Sequence, residues 1–307
     1  MEAGPASGSA YWLTTSDDVR IRIGVWNADD AKGTVLLFPG RTEYIEKYGK
    51  AAHALTARGY TTLAIDWRGQ GLADRFLDDP LIGHVKTFDE YQKDVDAVVS
   101  AARSLNLPEP YFLLGHSMGG CIGLRALHSG LPVAAAAFTG PMWGIRISMV
   151  LRPVAWVLSR IMPVLNLGYH LPPGRKPEPY VHATPFQGNT LTTDRETWHM
   201  MVQQITNHPE LGLGGPSYVW LREALAETAE ISAMPAPKVP CATFVGENER
   251  IVHVGRIRDL LARWTNGDLH VITPGEHEIL MEAQSITDKI FDKMTALFDA
   301  AGGSEAG

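Results

Sequence analysis

One stretch limits what this chain can become: Tyr111-Phe112-Leu113-Leu114-Gly115-His116-Ser117-Met118-Gly119-Gly120. It reads as a short apolar strand, a turn at Ser117, and a helix continuing through Cys121, Leu124, Leu127 and His128. Gly115-x-Ser117-x-Gly119 is the pattern in which a strained strand-to-helix turn pushes a serine hydroxyl out of the sheet. A residue at so sharp an elbow takes unfavourable φ/ψ, and its neighbours must lack a Cβ for strand and helix to pass closely. Three fixed residues in five recur by chance, so the weight lies on the context, a strand pattern before and a helix pattern after. The plainer alternative is an ordinary glycine-rich turn. The functional reading makes Ser117 a nucleophile.

The surrounding chain repeats the same grammar. Ala10 to Thr15 and Val19 to Trp26 form a predicted hairpin about Ser16-Asp17-Asp18. Thr34-Val35-Leu36-Leu37-Phe38 is a continuous apolar run suited to a strand buried on both faces. A helix is expected from about Glu43 to Arg58, a strand from Tyr60 to Asp66, and a helix through Phe88, Tyr91, Val95, Val98, Val99 and Ala102. Val133 to Thr139 is the strand after the elbow. Strand–helix alternation predicts an α/β fold, with a mostly parallel central sheet flanked by helices.

The alternation stops at Gly140-Pro141. From Met142 to Pro237 there is no strand-like run. The apolar stretch Ile147 to Leu167 is punctuated by Arg152, Pro153, Arg160 and Pro163, a proline-dense loop follows, and helices are expected near Asp194 to Asn207 and Pro216 to Ile231. Sheet grammar resumes at Pro240 with a strand at Cys241 to Val245, a helix at Val254 to Trp264, a strand at Leu269 to Thr273 and a last helix at Ser285 to Ala300. The expected division is a first core part over 10–141, a helical cap over 142–237, and a second core part over 238–301.

Composition narrows the class. With 45% apolar and 20% charged residues in 307, the chain has the make-up of a globular protein. A net charge of -7 argues against nucleic acid as a partner. Cys121 and Cys241 both fall in apolar runs, the usual place for reduced, buried thiols. Met1 to Ala10 has neither the basic region nor the apolar core of a signal peptide, so a cytoplasmic location is expected.

A serine hydroxyl needs a base within hydrogen-bond reach, and the base needs an orienting acid. In a sheet of this kind the chain order is serine, acid, histidine, each on a loop after a strand. Of the 11 histidines, only His277 sits in the loop between the last strand and the last helix. His116 lies on the strand end and alternation turns it away from Ser117. Glu247 and Glu249 both follow the preceding strand; Glu249 is preferred and Glu247 stays open. Two amides must face the developing oxyanion. Met118 supplies one, and Arg41, after Pro39-Gly40, the other.

At this point the residues resemble a known family, the monoacylglycerol lipase and bacterial lysophospholipase branch of the α/β-hydrolases, a serine-aminopeptidase-like group. The resemblance spans about Tyr11 to Ala300. Phe38-Pro39-Gly40-Arg41-Thr42-Glu43 is similar to its His-Gly-x-x-Glu loop, and Asp66-Trp67-Arg68-Gly69-Gln70-Gly71 to its Asp-x-Arg-Gly-x-Gly turn. Gly115 to Gly120 matches Gly-His-Ser-Met-Gly-Gly without change. Gly246-Glu247-Asn248-Glu249-Arg250-Ile251-Val252 resembles Gly-x-x-Asp-x-Ile-Val, and His277-Glu278-Ile279-Leu280 with Glu282 resembles His-Glu-x-x-x-Glu. The resemblance implies Ser117 as nucleophile, His277 as base, Glu249 as acid, and Arg41 and Met118 as oxyanion-hole donors. Pro39 replaces the usual histidine and Glu249 the usual aspartate. Asp66 and Glu43 read as braces of nearby turns.

The family places an apolar helical cap between two late strands, where 142–237 lies. Trp143, Met149, Val150, Leu151, Val154, Trp156, Val157, Ile161, Met162, Met200, Met201 and Trp220 are available there for an acyl pocket, although ordinary core is the commoner use of such residues. The expected activity is cleavage of one acyl chain from a monoacylglycerol, lysophospholipid or similar small acyl ester, through an acyl-enzyme and with no cofactor or metal. Alternatives are a non-lipid ester hydrolase, an N-terminal aminopeptidase, or a binding protein that kept the fold without turnover. Arginines and prolines within 147–167 argue against a transmembrane helix. An interfacial helix pair is expected instead, with Arg146, Arg152 and Arg160 toward head groups and Trp156 and Leu158 toward acyl chains.

Overall fold

The computed structural model describes residues 4–148 and 151–303. Its centre is an eight-stranded sheet in the order β1-β2-β4-β3-β5-β6-β7-β8. β1 (Gly8–Thr14) and β2 (Arg20–Trp26) form the antiparallel hairpin. β2 also runs antiparallel to β4 (Thr61–Asp66). From there β3 (Thr34–Phe38), β5 (Tyr111–His116), β6 (Ala135–Thr139), β7 (Cys241–Gly246) and β8 (Gly267–Ile272) are joined by parallel pairings.

Alternation along these strands builds two cores. In β3, Leu36 and Phe38 face one layer while Val35 and Leu37 face the other. The first layer holds α2 (Glu90–Ser104), α3 (Met118–His128) and α8 (Val254–Leu261), through Val95, Val98, Cys121, Leu124, Ile257 and Leu260. The second holds α1 (Gly49–Thr56) and α9 (Gln284–Gly302), through Ala51, Leu55, Ile290, Phe291 and Met294. The helix expected from Glu43 is shorter: a 3-10 turn at Ile45–Tyr48 leads into α1, and the Glu43 carboxylate is taken up by the Gly40 amide and Lys47.

Between β6 and β7 lie α4 (Leu151–Val164), the single turn α5 (Tyr180–Ala183), α6 (Arg195–Asn207) and α7 (Tyr218–Ala233). Two starts carry a side-chain cap: Asp194 accepts from the Thr197 amide and Ser217 from the Trp220 amide. The expected helix pair within 147–167 is a single helix. Pro153 falls in the first turn of α4, where a missing N–H has no intrahelical acceptor, and Pro163 falls in the last turn. No helix among the described residues is long and apolar enough to cross a membrane.

The apolar residues of this inserted segment divide sharply. Trp143 belongs to the main core, fully buried against Phe138 and Trp264 with its Nε1 donating to Gly120 O, and cannot line a pocket. Trp220 and Met201 are also buried. Val154, Trp156, Val157 and Ile161 of α4 are exposed. Met149 and Val150 lie outside the described residues, as do the side chains of Leu151 and Arg152.

Candidate active site

The carboxyl ends of β5, β7 and β8 converge on three side chains. Ser117 follows β5 with φ 49° and ψ -114°, a conformation sparsely populated by residues with a Cβ. It is held by its surroundings: its amide donates to Thr139 O (3.1 Å), and its carbonyl accepts from Met142 N (2.8 Å). Gly119 explains the close passage, since a Cβ there would lie 1.9 Å from Phe38 O. Gly140, with φ +48°, leaves room for the other two groups; a Cβ there would meet His277 Nδ1 at 3.1 Å and Glu249 Oε2 at 3.2 Å.

Ser117 Oγ lies 2.9 Å from His277 Nε2, and His277 Nδ1 lies 2.7 Å from Glu249 Oε2. The other carboxylate oxygen accepts from the amides of Ile251 (2.7 Å) and Val252 (3.0 Å), so the longer glutamate is anchored at its own loop. Glu247 is exposed, whereas Glu249 is buried at the imidazole; the geometry brings Glu249, not Glu247, to His277. Burial pushes the Glu249 carboxyl up, but the facing His277 and the hydrogen bonds it accepts outweigh this and leave it below the usual range. Burial pushes His277 down, yet the Glu249 charge, helped by Glu278 and Glu43, leaves the imidazole above its usual value. The arrangement can hold a proton at Nδ1 and take one at Nε2.

The loop after β3 presses against this line. Gly40 is packed against Ser117 Cβ, and its amide donates to Glu43 Oε2. Pro39 O accepts from Trp67 Nε1 (2.9 Å), which fixes the loop where the family histidine is absent. The amides of Arg41 and Met118 donate to no backbone acceptor among the described residues, which leaves both open to an incoming oxygen.

Behind the site lies a charged network that sequence reading missed. Lys47 Nζ sits 2.7 Å from Glu43 Oε1 and 2.7 Å from Glu278 Oε2, all three buried. Tyr48 donates to Glu43 Oε2 (2.5 Å). Burial raises Glu43, but Lys47 and His116 more than offset it, bringing it down to about 2. Glu278 is pushed up by burial and by Glu43. Glu43, His116 and Glu278 could in principle converge on a metal ion, but the Lys47 ammonium already bridges both carboxylates. His116, lowered to about 4 by burial, is neutral and hydrogen-bonded to Thr139, its ring centre 5.0 Å from that of His277. Its nearness to His277 was not legible. A Glu-x-x-x-Lys spacing on the loop is the one signal that could have pointed to this network.

The inserted segment also braces His277 and its loop. His277 N donates to Thr190 O (3.2 Å) and Glu278 N to Leu191 O (2.8 Å), while Glu282 accepts from Thr193 N (2.9 Å). A cavity of about 30 Å³ between Tyr44, Lys47, Tyr180, Met201 and Glu278 adjoins the network. A larger one of about 230 Å³ lies away from the triad, between α4, α7 and His253.

The chain is similar to several known proteins. The lysophospholipase L2 of Escherichia coli (strain K12) is 31% identical over 290 residues, covering 89% of this chain and 82% of that protein. The monoacylglycerol lipase of Mycolicibacterium smegmatis is 27% identical over 278 residues, covering 87% and 89%. In fold the chain is similar to a soluble variant of monoglyceride lipase from Saccharomyces cerevisiae solved with a substrate analog (TM-score 0.76, 16% identity, 98% of each chain). Residues 29–284 match the family described as serine aminopeptidase, S33. With that match over most of its length, on a sheet of this order, the chain belongs to the serine aminopeptidase, S33 family of α/β-hydrolases.

Proposed function

We propose that this chain is a serine carboxylic-ester hydrolase that removes one acyl chain from a monoacylglycerol, a lysophospholipid or a similar monoester. The observation that carries the reading is the continuous line from Ser117 Oγ through His277 to Glu249, at 2.9 and 2.7 Å, beneath a strained elbow. The names of the relatives, a lysophospholipase and a monoacylglycerol lipase, support the substrate class.

In this mechanism Ser117 Oγ attacks the ester carbonyl carbon while His277 Nε2 takes its proton. The carbonyl oxygen becomes an oxyanion between the amides of Arg41 and Met118. Glu249 keeps the proton on Nδ1 and stabilises the imidazolium. The C–O bond to the alcohol then breaks, Nε2 returns the proton to the leaving oxygen, and an acyl-serine remains. Water attacks it along the same path, releasing the fatty acid and restoring Ser117. Residues 142–237 act as the cap over this centre, and the exposed apolar side of α4 supports contact with a lipid surface.

A fluorophosphonate probe tests the nucleophile: wild-type protein takes up the label and Ser117→Ala does not. Labelling of Ser117→Ala to wild-type extent refutes the assignment. A protein that takes no label and cleaves no ester would instead be a binding protein on this fold.

A further inference from the structure

The mechanism uses the backbone of Arg41 and leaves its side chain unexplained. Nη2 donates to Gly214 O, and Cζ lies 5.2 Å above the Trp220 ring. Nε is buried with no acceptor among the described residues. Gly83 packs so tightly against the group that a Cβ there would come within 2.9 Å of Nη2. The residue as a whole keeps partial exposure.

Three other enclosed arginines are paired with acids. Arg22 has Asp66 and Glu46, Arg68 has Asp17 and Asp94, and Arg125 has Glu227. Arg75 has no carboxylate but is satisfied by carbonyl oxygens of Gly69, Gly71, Pro80, Glu210 and Gly212. Arg41 has one carbonyl and an orphaned Nε. A buried cation without a counter-charge is costly, and its usual resolution is a partner that arrives from outside. Burial brings its pKa down to about 10, with Arg175 pushing the same way, so the guanidinium stays charged at neutral pH. Arg175 is exposed, on the inserted loop that packs against Gly215.

Position supplies the chemistry. The amide of Arg41 is the proposed oxyanion donor, so its side chain starts beside the oxyanion site. The reach of an arginine is comparable to the span from the ester carbonyl of a lysophospholipid, across glycerol, to its phosphorus. A guanidinium fork matches phosphate oxygens. We propose that the Arg41 guanidinium, with Arg175 at its rim, is the phosphate subsite of the active site, and that the substrate is a lysophospholipid rather than a neutral monoacylglycerol. This deepens the ester-hydrolase reading and rests on it. Two cations at the head-group side would also repel the ammonium of a peptide N-terminus.

The test is the ratio of kcat/KM for lysophosphatidylcholine to that for the monoacylglycerol of the same chain. In wild type the ratio exceeds one. Arg41→Gln lowers it by about 10- to 100-fold, mainly through KM, as expected for loss of a charged hydrogen bond, and Arg41→Lys recovers part of it. A wild-type preference for the monoacylglycerol, or a proportional fall on both substrates, overturns the subsite. Should Arg41→Gln lose its native circular dichroism and so prove misfolded, the wild-type ratio and the competition experiment decide. Inhibition of p-nitrophenyl butyrate cleavage by glycerophosphocholine and not by glycerol supports the subsite, and equal or absent inhibition overturns it. Failure of the underlying reading looks different: wild-type protein then cleaves none of these esters.

Discussion

Two apolar stretches of this chain, similar to the eye, have opposite fates. The run from Tyr111 through α3 is buried almost throughout, with every β5 residue inside the sheet. α4 is as apolar in composition, yet Val154, Trp156, Val157 and Ile161 face out, and Val164 is 81% exposed. β5 has parallel partners on both edges and a helical layer on each face, so its hydrophobicity is consumed by folding. α4 packs on α7 and leaves these apolar side chains exposed. Hydrophobic content therefore reports capacity for burial, and only the surroundings decide whether the partner is the protein's own core or something else. A third case lies between them: residues 189–193 of the same insertion are tied by hydrogen bonds to the histidine loop. The insertion thus has one end that braces the His277 loop and one that is left to the outside.

The largest effect that can be asked of this contrast is catalytic. Ser117→Ala and His277→Ala should each lower kcat by about 10⁵–10⁶ while circular dichroism shows the fold retained. Residual activity above a tenth of wild type would remove that residue from the mechanism. Glu249→Gln should cost up to about 10⁴, because the amide can hold the wrong imidazole tautomer, while the exposed Glu247→Gln costs little. A reversal of these two results would move the acid to Glu247 and detach the geometry from the chemistry.

The pH profile gives a finer test. His277 acts as a base only when neutral, and Glu249 holds its pKa above the ordinary 6.5. Activity should therefore fall as pH drops through a value above 6.5, and the limb should move down in the residual activity of Glu249→Gln. A limb at or below the free imidazole value in the wild type contradicts the electrostatics described here.

Stability separates the two apolar stretches directly. Leu114→Ala, in the fully buried β5, should destabilise by about 2–5 kcal/mol. Val164→Ala, at the end of α4, should stay within about 0.5 kcal/mol. Denaturant melts of both decide it, and similar losses would mean that α4 is part of the cooperative core. The smallest effect concerns lipid. Wild-type protein should float with anionic vesicles, Trp156→Glu should float less, and hydrolysis of short soluble esters should be spared. Absence of co-flotation at low salt leaves α4 without a membrane role.

Much of this was legible in the residues. The apolar runs fixed the strands to within a few positions, because a strand buried on both faces tolerates little but Val, Leu, Ile, Phe and Ala. The elbow was legible because its backbone demands glycines at fixed offsets, and the loop histidine because chain order and a strand-end position left one choice. The choice between Glu249 and Glu247 was not, since two carboxylates two residues apart look alike until a fold turns one inward. Trp143 was open to either pocket or core and became core, and α4 was read as a helix pair, for the same reason: composition carries no information about which neighbour arrives. The bridge of Lys47 between Glu43 and Glu278, and the enclosure of Arg41 under Gly83 and Gly214, join segments distant in sequence. Local sequence determines what each segment can be, through backbone sterics and periodicity. Which charges meet, and which are left without a partner, is decided only when the segments pack, because that depends on distances across the fold that no local pattern encodes.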